Sequence, residues 1–184
     1  MEALRWVADR MRAAAAEGRR PIAAEIDGRI QIGGITLKGK VDRIDRLADG
    51  SLAVIDYKTG KPPSAAQVQA GYAMQLGLLG LIVERGGFET IGGDPQTFEY
   101  WSLAKDKDAF GQIREPVGGK SGIARGDFTA HAEAILRHAA DRWLTGNDPF
   151  TAKIAPEYAP YADYDQLMRL DEWYGRDGDG GGAP

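Results

Sequence analysis

The 184-residue chain contains no cysteine. A disulfide, a thiolate zinc site and a cysteine-ligated iron–sulfur cluster are therefore all excluded. Histidine is almost as scarce, with His131 and His138 standing seven apart. Neither has a carboxylate or cysteine at ligand spacing, so both read as surface or core side chains. No apolar run reaches membrane-spanning length, and the N-terminus lacks the basic-then-apolar order of a signal peptide. The expectation is a cytoplasmic protein with no membrane partner. GxGxxG, HExxH and GxSxG are missing, and Gly119-Lys120-Ser121 has Arg114 where a P-loop needs glycine.

Positive charge is also in short supply. The net charge is −4, which argues against a surface that is basic throughout. Its distribution is uneven. Residues 157–184 carry seven acidic and two basic side chains; setting them aside leaves 20 acidic and 21 basic residues, a net of +1. A grip on a polyanion must come from local clusters or from a partner chain. The length predicts one domain with a substantial core, and the 43% hydrophobic content is ordinary for a soluble protein.

What the chain does have is the stretch Gly39 to Gly60, GKVDRIDRLADGSLAVIDYKTG. It reads as a β-hairpin. Side chains alternate along a strand, so Leu52, Val54, Asp56 and Lys58 share one face, as do Lys40, Asp42 and Ile44 before the turn. Ala48-Asp49-Gly50 suits a three-residue loop with Gly50 in the left-handed conformation. Residue 47 then pairs with residue 51, which sets Asp42 opposite Asp56 and Lys40 opposite Lys58. A slip of one residue would separate the carboxylates. Two carboxylates at roughly 5 Å between Cβ atoms repel unless something neutralises them. A divalent cation with oxygen ligands does so, and Mg²⁺ or Mn²⁺ suits two carboxylates and several waters. Lys58 would stand beside the attacking water or the phosphate. An exposed sheet face with Asp and Lys two apart is the ordinary alternative.

Gly39-x-x-Asp42, a short hairpin and Asp56-Tyr57-Lys58-Thr59-Gly60 resemble the core of the PD-(D/E)XK nucleases, in their RecB-like branch. Gln75-Leu76 on the next helix resembles the branch's Q-x-x-x-Y motif, with Leu79 at the tyrosine position. The tail, Tyr161-Ala-Asp-Tyr-Asp-Gln-Leu with Glu172-Trp173, is most similar to AddB-type nuclease domains of AddAB helicase–nucleases. The resemblance covers most of residues 20–174. It implies an α/β, restriction-endonuclease-like fold with a central mixed β-sheet flanked by helices. It implies a Mg²⁺-dependent deoxyribonuclease, exonuclease action being favoured, in double-strand-break repair, with DNA and an AddA-like helicase–nuclease subunit as partners. Asp42, Asp56 and the Tyr57 backbone carbonyl would ligate the metal, Mn²⁺ serving as a substitute. Lys58 would position water, and Gln75 would hold Lys58 or the DNA. From spacing alone, Gln75 reads as a surface glutamine. The branch also carries a histidine on a helix before this core. Both histidines here follow the hairpin, so the expectation is that the start of the domain lies outside this chain. A non-catalytic DNA-binding or subunit-docking module with the same fold is the alternative from another class.

Elsewhere the periodicity predicts a helix from Glu2 to about Arg19 and a strand from Pro21 to Ile32, turning at Gly33-Gly34. Glu25 lies in that strand and reads as a solvated side chain. Ser64 caps a long predicted helix, Ala65 to Glu84, with Val68, Tyr72, Leu76, Leu79 and Ile82 facing the sheet. Thr97 to Leu103 reads as a third sheet segment. Lys105 to Arg125, with Lys107, Arg114 and Lys120, reads as a long solvated loop, a phosphate-contacting arm being the alternative. A final large helix follows from Asp127 to about Leu144. The expected organisation is a nuclease core over 1–156, N-terminally incomplete, a docking segment over 157–174 and a disordered tail over 175–184.

Overall fold

The computed structural model describes residues 2–106, 109–119 and 122–150. The docking segment and tail expected after residue 156 lie outside the described residues, as do Lys107 and Lys120. The chain divides into a unit of residues 1–138, which holds the sheet, and a second of residues 139–184, whose described part is a π-helical turn, Ala140–Leu144, and the residues that follow it.

The first unit is a five-stranded mixed sheet in the order β1-β2-β3-β4-β5. Helix α1 (Glu2–Ala16) ends where Gly18 turns left-handed (φ 80°) and Arg19 donates back to the Ala14 carbonyl. Strand β1 (Arg20–Ile32) pairs antiparallel with β2 (Ile35–Arg46) through a two-residue turn at Gly33-Gly34, φ 52° and 85°. Both positive values are those that a tight hairpin demands. β2 pairs antiparallel with β3 (Leu52–Lys58), and the turn closes as expected: Leu47 donates to Ser51 and Gly50 sits at φ 90°. β3 then runs parallel to β4 (Pro95–Asp106), which requires a crossover.

The crossover is where the sequence-based expectation fails. Ser64 caps the helix through a reciprocal pair with Gln67, but that helix, α2, spans only Ala65–Gln69. Gly71 adopts φ 84° and stops it, and the Ile135 side chain packs at that position. A second helix, α3, starts at Gln75 and runs to Glu84. Tyr72 falls between the two and is half exposed rather than part of the apolar stripe.

The supposed loop 105–125 is corrected too. Ala109–Arg114 forms β5, antiparallel to β4. Its short, glycine-containing sequence carries little strand signal, and pairing along β4 supplies the order. The last helix, α4, is Phe128–Ala139, preceded by a 3₁₀ turn at Arg125–Asp127.

Helix α3 packs between sheet and α4, buried at Leu76, Gly77, Leu79, Gly80, Leu81, Ile82 and Val83, so it is apolar almost all round. Gly77 is required for closeness: a Cβ there would stand 2.8 Å from the Ala132 Cβ.

The opposite sheet face is polar and buried. Arg43 grips Asp45 through two hydrogen bonds (2.6 and 2.7 Å), Arg19 bonds the same carboxylate (2.6 Å), and Arg19 grips Glu99 through two more (2.8 Å each). Trp101 Nε1 donates to Glu99, Arg43 stacks over the Trp101 ring at 5.0 Å, and Trp6 of α1 meets Trp101 edge-on. The Asp45 side chain is fully buried. Removing one partner of such a set leaves an uncompensated buried charge. Asp45→Ala is therefore expected to lower unfolding free energy by about 3–5 kcal/mol in urea titrations, whereas Asp9→Ala, at an exposed pair, changes it by less than about 0.5 kcal/mol.

Candidate active site

The ladder between β2 and β3 pairs Arg43 with Ile55, Ile44 with Val54, Asp45 with Ala53 and Arg46 with Leu52, the expected register. It stops one step short of Asp42 and Asp56. There the Asp42 carboxylate replaces the ladder and accepts the Tyr57 backbone N–H at 2.8 Å. The β2–β3 ladder does not extend to Lys40 and Lys58; on the β1 edge Lys40 pairs with Asp27 and makes an ion pair with Glu25. Nor do Lys40, Asp42 and Ile44 form one regular face. Val41 and Ile44 both enter the core, which alternation forbids for residues three apart, so the pleat is interrupted at Asp42. On β1, the level skipped between Ala24–Arg43 and Ile26–Val41 is held by Glu25, at φ 55°. The β1–β2 register is continuous through Glu25, its shift lying between Pro21 and Ala23, and Glu25 is a non-glycine residue in a strained left-handed conformation beside Asp42. The signal was present in the sequence, since Ile35, Leu37, Gly39 and Val41 keep a period of two that Ile44 breaks.

On β3, Asp56 and Lys58 stand on the face turned to α3. Lys58 Nζ lies 2.8 Å from Asp56 Oδ2 and donates to Gln75 Oε1 at 2.8 Å, while Gln75 Nε2 donates to Asp56 Oδ1 at 2.6 Å. The three side chains close a triangle that uses the amide in its one sensible orientation, nitrogen to carboxylate and oxygen to ammonium. Gln75 reaches it because it is the first residue of α3. Tyr57 turns its ring to the other face, where its hydroxyl accepts from Arg43 (3.3 Å) and its ring meets Trp101. His131 and His138 are on α4 and take no part in the triangle.

Asp56 is almost fully buried, and burial raises its carboxyl above the ordinary range; Asp42 adds to the rise, while Lys58 and Gln75 oppose it. Burial and the Asp56 charge likewise raise the Tyr100 hydroxyl. Asp56 Oδ2 is buried and, although Lys58 is close, no donor is aligned to hydrogen-bond it. Among the described residues no group of three or more acidic, histidine or cysteine side chains is gathered to hold a metal. What is present is two neighbouring carboxylates, with Asp56 Oδ2 ion-paired to Lys58 but without a well-aligned hydrogen bond. Such hard oxygen donors fit Mg²⁺ or Mn²⁺, which keep most of their waters.

A sequence model of the PD-(D/E)XK nuclease superfamily matches residues 1–162. The chain belongs to the PD-(D/E)XK nuclease superfamily. The match does not single out a branch. Members of the superfamily are generally nucleases and typically use divalent metals, and the mixed sheet flanked by helices is the fold expected of a PD-(D/E)XK nuclease. No curated protein matches the sequence. A solved chain, described as the crystal structure of SSO0001, is similar with a TM-score of 0.39 at 17% identity; the similarity covers 78% of this chain and 58% of that chain. No helix among the described residues is long and apolar enough to cross a membrane.

Sequence reasoning missed the buried partners behind this PD-(D/E)XK site, Arg19, Arg43, Asp45 and Glu99. For Arg43, Asp45 and Glu99 the only signal was a polar residue in an otherwise apolar strand, and Arg19, between α1 and β1, had none.

The raised carboxyl of Asp56 has a sign. Its folded value lies above the ordinary 3.8, so the native state holds the proton more tightly and its ionisation costs stability as pH rises through that interval. In EDTA, the melting temperature of wild type relative to Asp56→Asn is expected to fall as pH rises above about 4 and to level off below it. A difference independent of pH would contradict the assignment.

Proposed function

We propose that this chain is a DNA-hydrolysing nuclease domain that uses Mg²⁺, with Asp42, Asp56 and the Tyr57 carbonyl holding the cation. The observation that carries the reading is the Asp56–Lys58–Gln75 triangle beside Asp42, in which the buried Asp56 Oδ2 faces the Lys58 ammonium at 2.8 Å. A bound cation would supply Lewis-acid stabilisation of charge on the phosphoryl oxygens.

The chain's own residues do the positioning. Asp42, fixed by the Tyr57 N–H, stays beside Asp56 where β2 and β3 part company. Lys58 is held at two points, so its ammonium enters the reaction with little freedom to lose and aims its third proton at the phosphate or the attacking water. Gln75 sets the distance between Asp56 and Lys58 and keeps both charges in place when substrate arrives. Burial of Asp56 strengthens each of these interactions.

The hairpin motif and the tail resemblance support an AddB-type domain working with an AddA-like helicase–nuclease subunit in double-strand-break repair, and exonuclease action.

Cleavage of 5′-labelled single- and double-stranded DNA tests it. Wild type is expected to cut with Mg²⁺ and not with EDTA. Lys58→Ala is expected to lose at least about 100-fold in rate with an unchanged circular-dichroism spectrum, the scale for losing one preorganised charge donor. A fully active Lys58→Ala protein would sink the proposed chemistry.

A further inference from the structure

A cleft of about 310 Å³ lies beside the site, lined by Lys61, Pro62, Ser102, Ala104, Lys105, Gln112 and Arg114. The sheet register puts it on the same face as the Asp56 triangle. Asp56 pairs with Tyr100, and Tyr100 with Arg114, so these three form one row across the sheet; Lys58, Ser102 and Gln112 form the next. Lys58 Nζ lies 5.5 Å from the Tyr100 ring, which places the two on one side. Strands are about 4.8 Å apart, so the Arg114 backbone stands two spacings, about 10 Å, from that of Asp56.

The cleft's charge is of one sign. Lys61, Lys105 and Arg114 converge on it, and among the described residues no acidic side chain pairs with any of the three. On the opposite, buried face Arg19 and Arg43 are bound to carboxylates, unlike Arg114. Arg114 Nε is buried and has no hydrogen-bond partner among the described residues. A buried guanidinium nitrogen left unpaired is costly, and a phosphate oxygen is the acceptor it suits best. Ser102 and Gln112 add neutral polar groups, and the Ser102 hydroxyl ties the cleft to the loop that follows β3 by donating to the Gly60 carbonyl at 3.0 Å.

We propose that this cleft binds a backbone phosphate of the DNA strand next to the one being cut, with Arg114 and Lys61 as its principal contacts and Lys105 at its rim. The assignment rests on the proposed function for the direction of the strand, and it makes the preferred substrate a polynucleotide with at least two phosphates rather than an isolated diester.

The test is the salt dependence of binding. A fluorescein-labelled single-stranded oligonucleotide is titrated in EDTA, where no cutting is expected, at several salt concentrations. Compared with wild type, Lys61→Gln and Arg114→Gln are each expected to weaken binding and to reduce the slope of log affinity against log salt by about 0.7, the share of one phosphate contact on a single strand. Lys38→Gln, outside the cleft, is expected to leave the slope unchanged. Thermal melts identify any variant that fails to fold, and Lys61, on an exposed loop, keeps the test open if Arg114→Gln does. Unchanged slopes in the folded cleft variants, or a wild type that binds no oligonucleotide, would overturn the inference. Cleavage by wild type with unchanged slopes would retain the nuclease reading and discard the cleft. Reduced slopes without any cleavage would support the cleft while discarding the nuclease.

Discussion

The site depends on four buried charges on the far side of the sheet. Arg19, Arg43, Asp45 and Glu99 sum to zero and satisfy one another through paired, charge-assisted hydrogen bonds. An apolar set of equal volume would stabilise a sheet about as well. The ionic set adds geometry. Arg19, between α1 and β1, reaches β2 through a single hydrogen bond to Asp45 and β4 through a bidentate contact with Glu99, and the Arg43 contact with the Tyr57 hydroxyl reaches β3 from behind. The strands that carry Asp42, Asp56 and Tyr100 are thus held from one face while the other stays available for chemistry.

On that other face the local rules of strand structure are suspended where the carboxylates meet. The β2–β3 ladder ends, Asp42 takes over a backbone hydrogen bond, and Glu25 accepts a left-handed conformation on the neighbouring strand. A regular hairpin would set two carboxylates in direct opposition. The interruption lets one of them satisfy a backbone amide while the other is gripped by Lys58 and Gln75. The break between α2 and α3 belongs to the same region, since Gln75, the first residue of α3, reaches down to Asp56.

Much of this was legible in the sequence wherever contacts are local. The Gly33-Gly34 turn, the left-handed Gly50, the 47–51 closure and the Ser64 cap each follow from the chemistry of a few adjacent residues, and the hairpin register follows from the turn. The placement of Asp56 and Lys58 on one strand face followed from alternation. What was not legible depends on distant partners. Gly71 ends a helix where Ile135, more than sixty positions later, packs beside it. β5 is ordered by β4 rather than by its own composition. Arg19 meets Glu99 across eighty residues. The interruption at Asp42 was visible as a broken alternation, but the left-handed Glu25 beside it on β1 was not.

The most direct measurement is a thermal melt of wild type, Asp42→Ala and Asp56→Ala in EDTA and in Mg²⁺. A cation that binds only the folded state at about ten times its Kd adds about 1.4 kcal/mol, a rise of roughly 3–6 °C for a domain of this size. Wild type is expected to show that rise and both variants to lose it. An equal rise in all three proteins, or none in wild type, would contradict a cation held between Asp42 and Asp56.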